Sequence, residues 1–126
     1  MSLGVLRPST YNIVLYQGAD FLLPIQLKDA AGVGVPLVAG GLRAQIRPSF
    51  KSLSALDIAV DETDLPSGRF SLHVTPAQIA SLRITVGTSR DIAYGFWDLE
   101  YTEVGITTRI MQGTVTISLE VTKPVP

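Results

Sequence analysis

The chain has 126 residues, 46% of them apolar, with no Cys, one His and a formal net charge of −1. That length suits a single hydrophobic core. The composition excludes a disulfide framework, a thiolate nucleophile, Cys-ligated zinc and a multi-His metal site within one chain. The near-neutral charge argues against broad nucleic-acid binding, which rests on neutralising phosphates.

No apolar run approaches the roughly 20 residues of a membrane-spanning helix. The opening MSLGVLRPSTYN lacks a charged region ahead of an apolar stretch, so no signal peptide is expected. Residues 1–10 read as an N-terminal arm, 11–123 as one domain and 124–126 as a tail. Leu3, Val5 and Leu6 of the arm have no clear partner strand. They are candidate interface residues, with a frayed end or an added edge strand as the alternatives.

Period-two alternation dominates from there on. Phe21, Leu23, Ile25 and Leu27 share one strand face, and Pro24 places that strand at an edge or a bulge. Asp29 to Gly34 reads as a turn, and a strand is expected to resume near Val35 and end by Gly40 and Gly41. Leu42, Ala44 and Ile46 alternate with Arg43, Gln45 and Arg47. A short strand follows over Ala55 to Val60, then a polar turn over Asp61 to Gly68. Phe70, Leu72 and Val74 alternate with Ser71, His73 and Thr75. Thr75 and Pro76 open one short helix near 75–83, because Thr caps well and Pro suits the first helical position.

Gly87 to Asp91 reads as a loop. Tyr94 to Glu103 forms a long strand with Trp97, Leu99 and Tyr101 on one face. Val104 and Gly105 turn it back into Ile106 to Gln112, a hairpin. Gly113 is expected to break or bulge the chain before a last strand, Thr114 to Thr122, with Val115, Ile117, Leu119 and Val121 facing inward. Seven to nine strands and one helix favour an all-β antiparallel β-sandwich.

Candidate chemistry is sparse. His73 lacks a marked nucleophile such as a G-x-S-x-G elbow, so it reads as a surface residue. Asp57, Asp61, Glu62 and Asp64 do not have the spacing of a calcium loop. Asp98 and Glu100 share a strand face and read as a polar surface with a cross-strand ion pair to Arg109. Arg43, Arg47 and Lys51, with Phe50 nearby, are a thin basis for binding a nucleic-acid strand. The glycines form no phosphate loop. No catalytic, metal or cofactor-binding residue is assigned. Trp97 reads as core. Tyr94 and Phe96, on the face opposite Trp97, are candidate interface anchors, since aromatics are enriched at such contacts.

The order of the local patterns resembles small virion proteins of tailed bacteriophages. The pieces are YNIVLYQGADF (Tyr11 to Phe21), Asp29 to Gly32, PLVAG (Pro36 to Gly40), RAQIR (Arg43 to Arg47), GRFSL (Gly68 to Leu72) before Thr75 and Pro76, WDLE (Trp97 to Glu100), and RIMQGTVT (Arg109 to Thr116). The chain departs from the family's turn at PLVAG, where its usual Asp and Thr give way to apolar or small residues such as Val38. The resemblance spans about 11–123. It implies an Ig-like sandwich and a non-enzymatic structural part of the virion, made in the host cytoplasm. The tail, baseplate or fibre-attachment region is favoured and head decoration is the other position. It implies contacts with other virion proteins and a homo-oligomer, with no nucleic acid or membrane partner and no cofactor. The competing reading is a carbohydrate- or receptor-binding β-sandwich module.

Overall fold

The computed structural model describes residues 8–84 and 89–122. These residues are all-β with one short helix. The strands are β1 (Ser9–Thr10), β2 (Ile13–Tyr16), β3 (Phe21–Gln26), β4 (Leu42–Arg47), β5 (Leu56–Asp64), β6 (Arg69–Val74), β7 (Asp91–Glu103) and β8 (Ile106–Ser118). A 3-10 turn (Leu65–Ser67) joins β5 to β6, and the helix α1 (Pro76–Ser81) follows β6.

The strands form one curled sheet in the order β1, β8, β7, β4, β5, β6, β3, with β2 also paired to β8. Five of the pairings are antiparallel, but β1 and β2 run parallel to β8, so the sheet is mixed rather than wholly antiparallel. β5 bends the sheet. Its first residues pair with β4 and its later ones, from Ala59 on, pair with β6. The inner faces close on one core that includes Leu15, Ile46, Phe70, Leu72, Leu99, Val115 and Ile117.

Alternation places most of these residues. Trp97, Leu99 and Tyr101 are buried along β7, as are Leu42, Ala44 and Ile46 along β4. Two polar groups that follow them inward find partners: Trp97 Nε1–H donates to the Tyr11 carbonyl at 2.7 Å, and Tyr101 Oη accepts the Val38 N–H at 2.7 Å. Among the described residues no buried side-chain nitrogen or oxygen lacks a partner, as expected when an unpaired buried group costs about 1–3 kcal/mol. Among the described residues β3 pairs on one side only, with β6, which is where Pro24 can sit without breaking a ladder. α1 starts as expected: Thr75 accepts from the Gln78 N–H, and the Gln78 side chain accepts the Thr75 N–H, a full capping box.

Four expectations change. Val35 and Leu37 are buried but belong to no strand; their N–H groups reach the Leu27 and Leu65 carbonyls instead of a regular ladder. The polar stretch after Val60 continues β5 to Asp64 before turning. β8 runs unbroken through Gly113 and stops at Ser118, so Val121 is exposed rather than inward. Ser118, expected on the polar face, is buried.

Gly113 has another purpose than a break. A Cβ there would lie 2.1 Å from the Tyr11 carbonyl oxygen. This is where the N-terminal strand is interrupted at Tyr11 and Asn12 between β1 and β2 while keeping one register along β8 on both sides: Thr10 opposes Gln112 and Ile13 opposes Val115. The expected arm thus contributes an edge strand at Ser9–Thr10, whereas Leu3, Val5 and Leu6, and the 124–126 tail, lie outside the described residues. So does part of the expected Gly87 to Asp91 loop.

Candidate interaction surfaces

The outer face of β4, β7 and β8 carries the polar residues singled out above. Across it, Gln45 opposes Asp98 and Asp98 opposes Gln112. A bulge then skips Ile110: Leu99 opposes Met111, but Glu100 opposes Arg109. Without the bulge, Arg109 and Gln112 would point to opposite faces, because they are three residues apart. With it, Arg109 Nη1–H donates to Gln112 Oε1 at 3.2 Å, and Arg109 Nε lies 3.6 Å from Asp98 Oδ2. The expected pairing of this carboxylate with Arg109 is therefore present. Both partners are substantially solvated, so the pair contributes about 0–1 kcal/mol.

The loop after β4 folds back over the same face. Arg47 anchors it by donating to the Ser52 carbonyl and to Gln45 Oε1, and Gln45 in turn donates to Asp57. Phe50 then stacks on Phe96 with ring centroids 4.1 Å apart. The result is an open groove of about 550 Å³ between the aromatic pair and the Asp98–Arg109–Gln112 cluster. Its lining carries two Arg and two carboxylates, of which Arg109 and Asp98 pair with each other. That suits hydrogen bonding and stacking to a polar ligand.

Tyr94 does not join Phe96. It occupies a second bulge, between Ala93 and Gly95, and packs against the core. It lines a separate cavity of about 390 Å³ with Pro48, Ala55, Leu56, Leu82 and Arg83. Desolvation there raises the pKa of its phenol. The two aromatics grouped by alternation thus serve different depressions.

His73 Nε2 lies 2.8 Å from Asp20 Oδ1, tying β6 to the turn before β3. In the acidic stretch, Asp57 accepts from Gln45 and Glu62 accepts the Gly40 N–H at 2.9 Å. Among the described residues no three His, Asp or Glu converge as metal ligands.

Sequence reasoning missed the exposed apolar tips. Val104 is 93% and Ile106 70% exposed at the β7–β8 turn, and Leu53 is 98% exposed in the loop after β4. The signal at the turn was present in the sequence. A two-residue hairpin loop with positive φ at both positions prefers Asn-Gly or Asp-Gly, and this chain has Val-Gly, with φ of 51° at Val104 and 75° at Gly105.

No protein-family model matches the sequence, and neither does any curated protein.

Proposed function

We propose that this chain is a non-enzymatic structural part of a tailed-phage virion. It acts by protein–protein contact with repeated neighbouring subunits, in the tail, baseplate or fibre-attachment region in preference to the head. On this reading the curled sheet is a variant of the Ig-like sandwich with a parallel N-terminal strand added at its edge. Its partners are other virion proteins and further copies of itself, and its place is the particle, after synthesis in the host cytoplasm.

The observation that carries the reading is the placement of apolar side chains left in solvent. Val104, Ile106, Phe50 and Leu53 stand on a hairpin turn and a loop, where a neighbour can reach them. Apolar groups exposed in contiguous patches mark interaction surfaces, and here they form two separate sites, Val104 with Ile106 at the turn and Phe50 with Leu53 on the loop. The order of the local sequence patterns, which resembles that of small phage virion proteins, supports the same class.

Quantitative mass spectrometry of purified particles tests it. The chain is expected at a fixed copy number that matches a ring or a symmetric vertex set. Its absence from intact particles would refute the proposal.

One observation favours a second reading, a carbohydrate- or receptor-binding module. The groove beside Phe50 and Phe96 offers a ring face next to Gln45, Asp98, Arg109 and Gln112, the combination that holds a sugar by stacking and hydrogen bonds. Saccharide titration followed by amide chemical shifts separates the two. Saturable shifts confined to this groove would favour the module.

A further inference from the structure

We infer that two copies of this chain pair edge to edge, β2 against β2, antiparallel about a two-fold axis at Leu15. The inference rests on the assembly reading and names one contact between copies.

The first observation is which backbone groups β8 leaves over. The N–H groups of Tyr11 and Gln17 donate to the Gln112 and Ser118 carbonyls, and Ile13 and Leu15 lie in the parallel ladder between them. Alternate residues of a strand turn their backbone groups to the same neighbour. The N–H and C=O of Val14 and the N–H of Tyr16 therefore point away from β8. Among the described residues no strand lies on that side. The Tyr16 carbonyl accepts the Ala19 N–H at 3.1 Å and keeps a second lone pair.

The second observation is that this edge is unguarded. Sheet edges are usually protected by Pro or by charged side chains. The edge at β3 has Pro24 within it and Lys28 just past its end. From Ser9 to Ala19 there is no Pro, Lys, Arg, Asp or Glu. The outward side chains of β2 are Val14, 37% exposed, and Tyr16, 59% exposed. Asp20 and Glu120 stand at the Gly18 turn, beyond the pairing stretch: Asp20 is held by His73, and the Glu120 carboxylate covers Gly18.

The third observation is self-complementarity. Leftover N–H and C=O groups in a row call for an extended backbone. The same strand of a second copy supplies one and has the same need. With Leu15 on the axis, Val14 opposes the second copy's Tyr16, and Tyr16 opposes its Val14. Each is a pair that exchanges two N–H···O bonds. Each also sets a β-branched side chain beside an aromatic one, a favourable cross-strand match. No like charges meet, because the two-fold carries the Gly18 turns to opposite ends of the joint. Pro24 bars the same pairing at β3, so the contact is isologous and closes at two copies.

Sedimentation velocity of the full chain from micromolar to millimolar concentration, with residue-resolved amide exchange, tests this. Wild type should move from monomer to dimer. The Val14 and Tyr16 amides should gain protection as the dimer forms, whereas those of Ile13 and Leu15 should be protected at every concentration. V14K/Y16K and V14E/Y16E change only exposed side chains. Each alone should associate at least about tenfold more weakly than wild type, and a mixture should form a 1:1 heterodimer. The chain has no Cys, so V14C and Y16C add the sole thiols. Oxidised together they should cross-link about tenfold faster than either alone, since opposed residues sit about 5.5 Å apart at Cα. A monomeric wild type across the range, or no heterodimer on mixing, would overturn the inference. So would a dimer whose Val14 and Tyr16 amides stay unprotected, which puts the contact elsewhere; that measurement uses wild type and stands even if a variant fails to fold. These results leave the particle measurement untouched: a chain counted in virions but monomeric in solution refutes this contact alone, and a chain missing from virions refutes the assembly reading.

Discussion

Gly113→Ala offers a test of how the N-terminal strand is held. The new Cβ would sit 2.1 Å from the Tyr11 carbonyl oxygen and 2.7 Å from its carbon. Neither is a flexible side-chain end, so the backbone at Tyr11 must retreat by roughly 1 Å to reach an ordinary carbon–oxygen contact. Three hydrogen bonds converge on that spot: Tyr11 N–H to the Gln112 carbonyl at 2.8 Å, Thr114 N–H to Asn12 Oδ1 at 3.0 Å, and Trp97 Nε1–H to the Tyr11 carbonyl at 2.7 Å. At about 1 kcal/mol each their loss costs about 3 kcal/mol. Replacing Gly stiffens the unfolded chain and returns roughly 0.4–1 kcal/mol. A net destabilisation of about 2 kcal/mol remains, a large share of the 5–15 kcal/mol typical of a domain. For a chain this long it lowers the melting temperature by about 6–10 °C. Differential scanning calorimetry reads the shift. Emission from Trp97, the sole Trp, reports the opened crossing as a move to longer wavelength. In a double-mutant cycle, Gly113→Ala and Trp97→Phe should be strongly non-additive, because both remove the same bond. A Gly113→Ala protein that melts within about 2 °C of wild type would refute the reasoning.

Thr75→Ala removes one half of the capping box and should cost about 1 kcal/mol, measured by urea denaturation. Leu99→Ala opens a cavity at a fully buried position in the middle of β7 and should cost about 2–5 kcal/mol by the same assay. His73→Ala breaks a half-exposed contact with Asp20 and should change stability by less than about 1 kcal/mol, which sets it apart from a buried ion pair. Tyr94 carries a raised pKa in the folded state because burial disfavours its phenolate. The folded protein therefore holds that proton more tightly than the unfolded one. Stability from this source is intact below pH 10 and is lost as pH rises through the folded-state value. Tyr94→Phe should flatten the alkaline limb of a stability–pH curve.

Strands that alternate over unbroken ladders are legible in the sequence. Trp97, Leu99 and Tyr101, Leu42 to Ile46, and Phe70 to Val74 fall where period two puts them, and so does the helix opened by Thr75 and Pro76. Legibility fails where the ladder changes count. The bulge at Tyr94 moves that ring to another depression from Phe96, and the bulge at Ile110 brings Arg109 and Gln112 to one face. A bulge depends on the partner strand, so the local pattern carries no trace of it. The parallel pairing of β1 and β2 with β8 was invisible for the same reason: no turn joins these strands, and β7 is β8's only partner through a local connection. The groove beside Phe50 depended on Arg47 folding a loop back, a contact that alternation does not encode. The apolar turn was legible only as a misfit, a Val where the backbone prefers Asn.

The pairing of β2 with β8 also sets a timetable. Asn12 and Thr114 touch across 102 residues of chain, about as non-local as a contact can be in this protein. Closing so long a span costs entropy before any strand contact repays it. At a translation rate of roughly 5–20 residues per second, β2 waits about 5–20 s for its partner to be made. Until then its exposed edge groups have no native ladder to join. The chain is therefore most open to mispairing early in its life, and the synthesis of β8 ends that exposure.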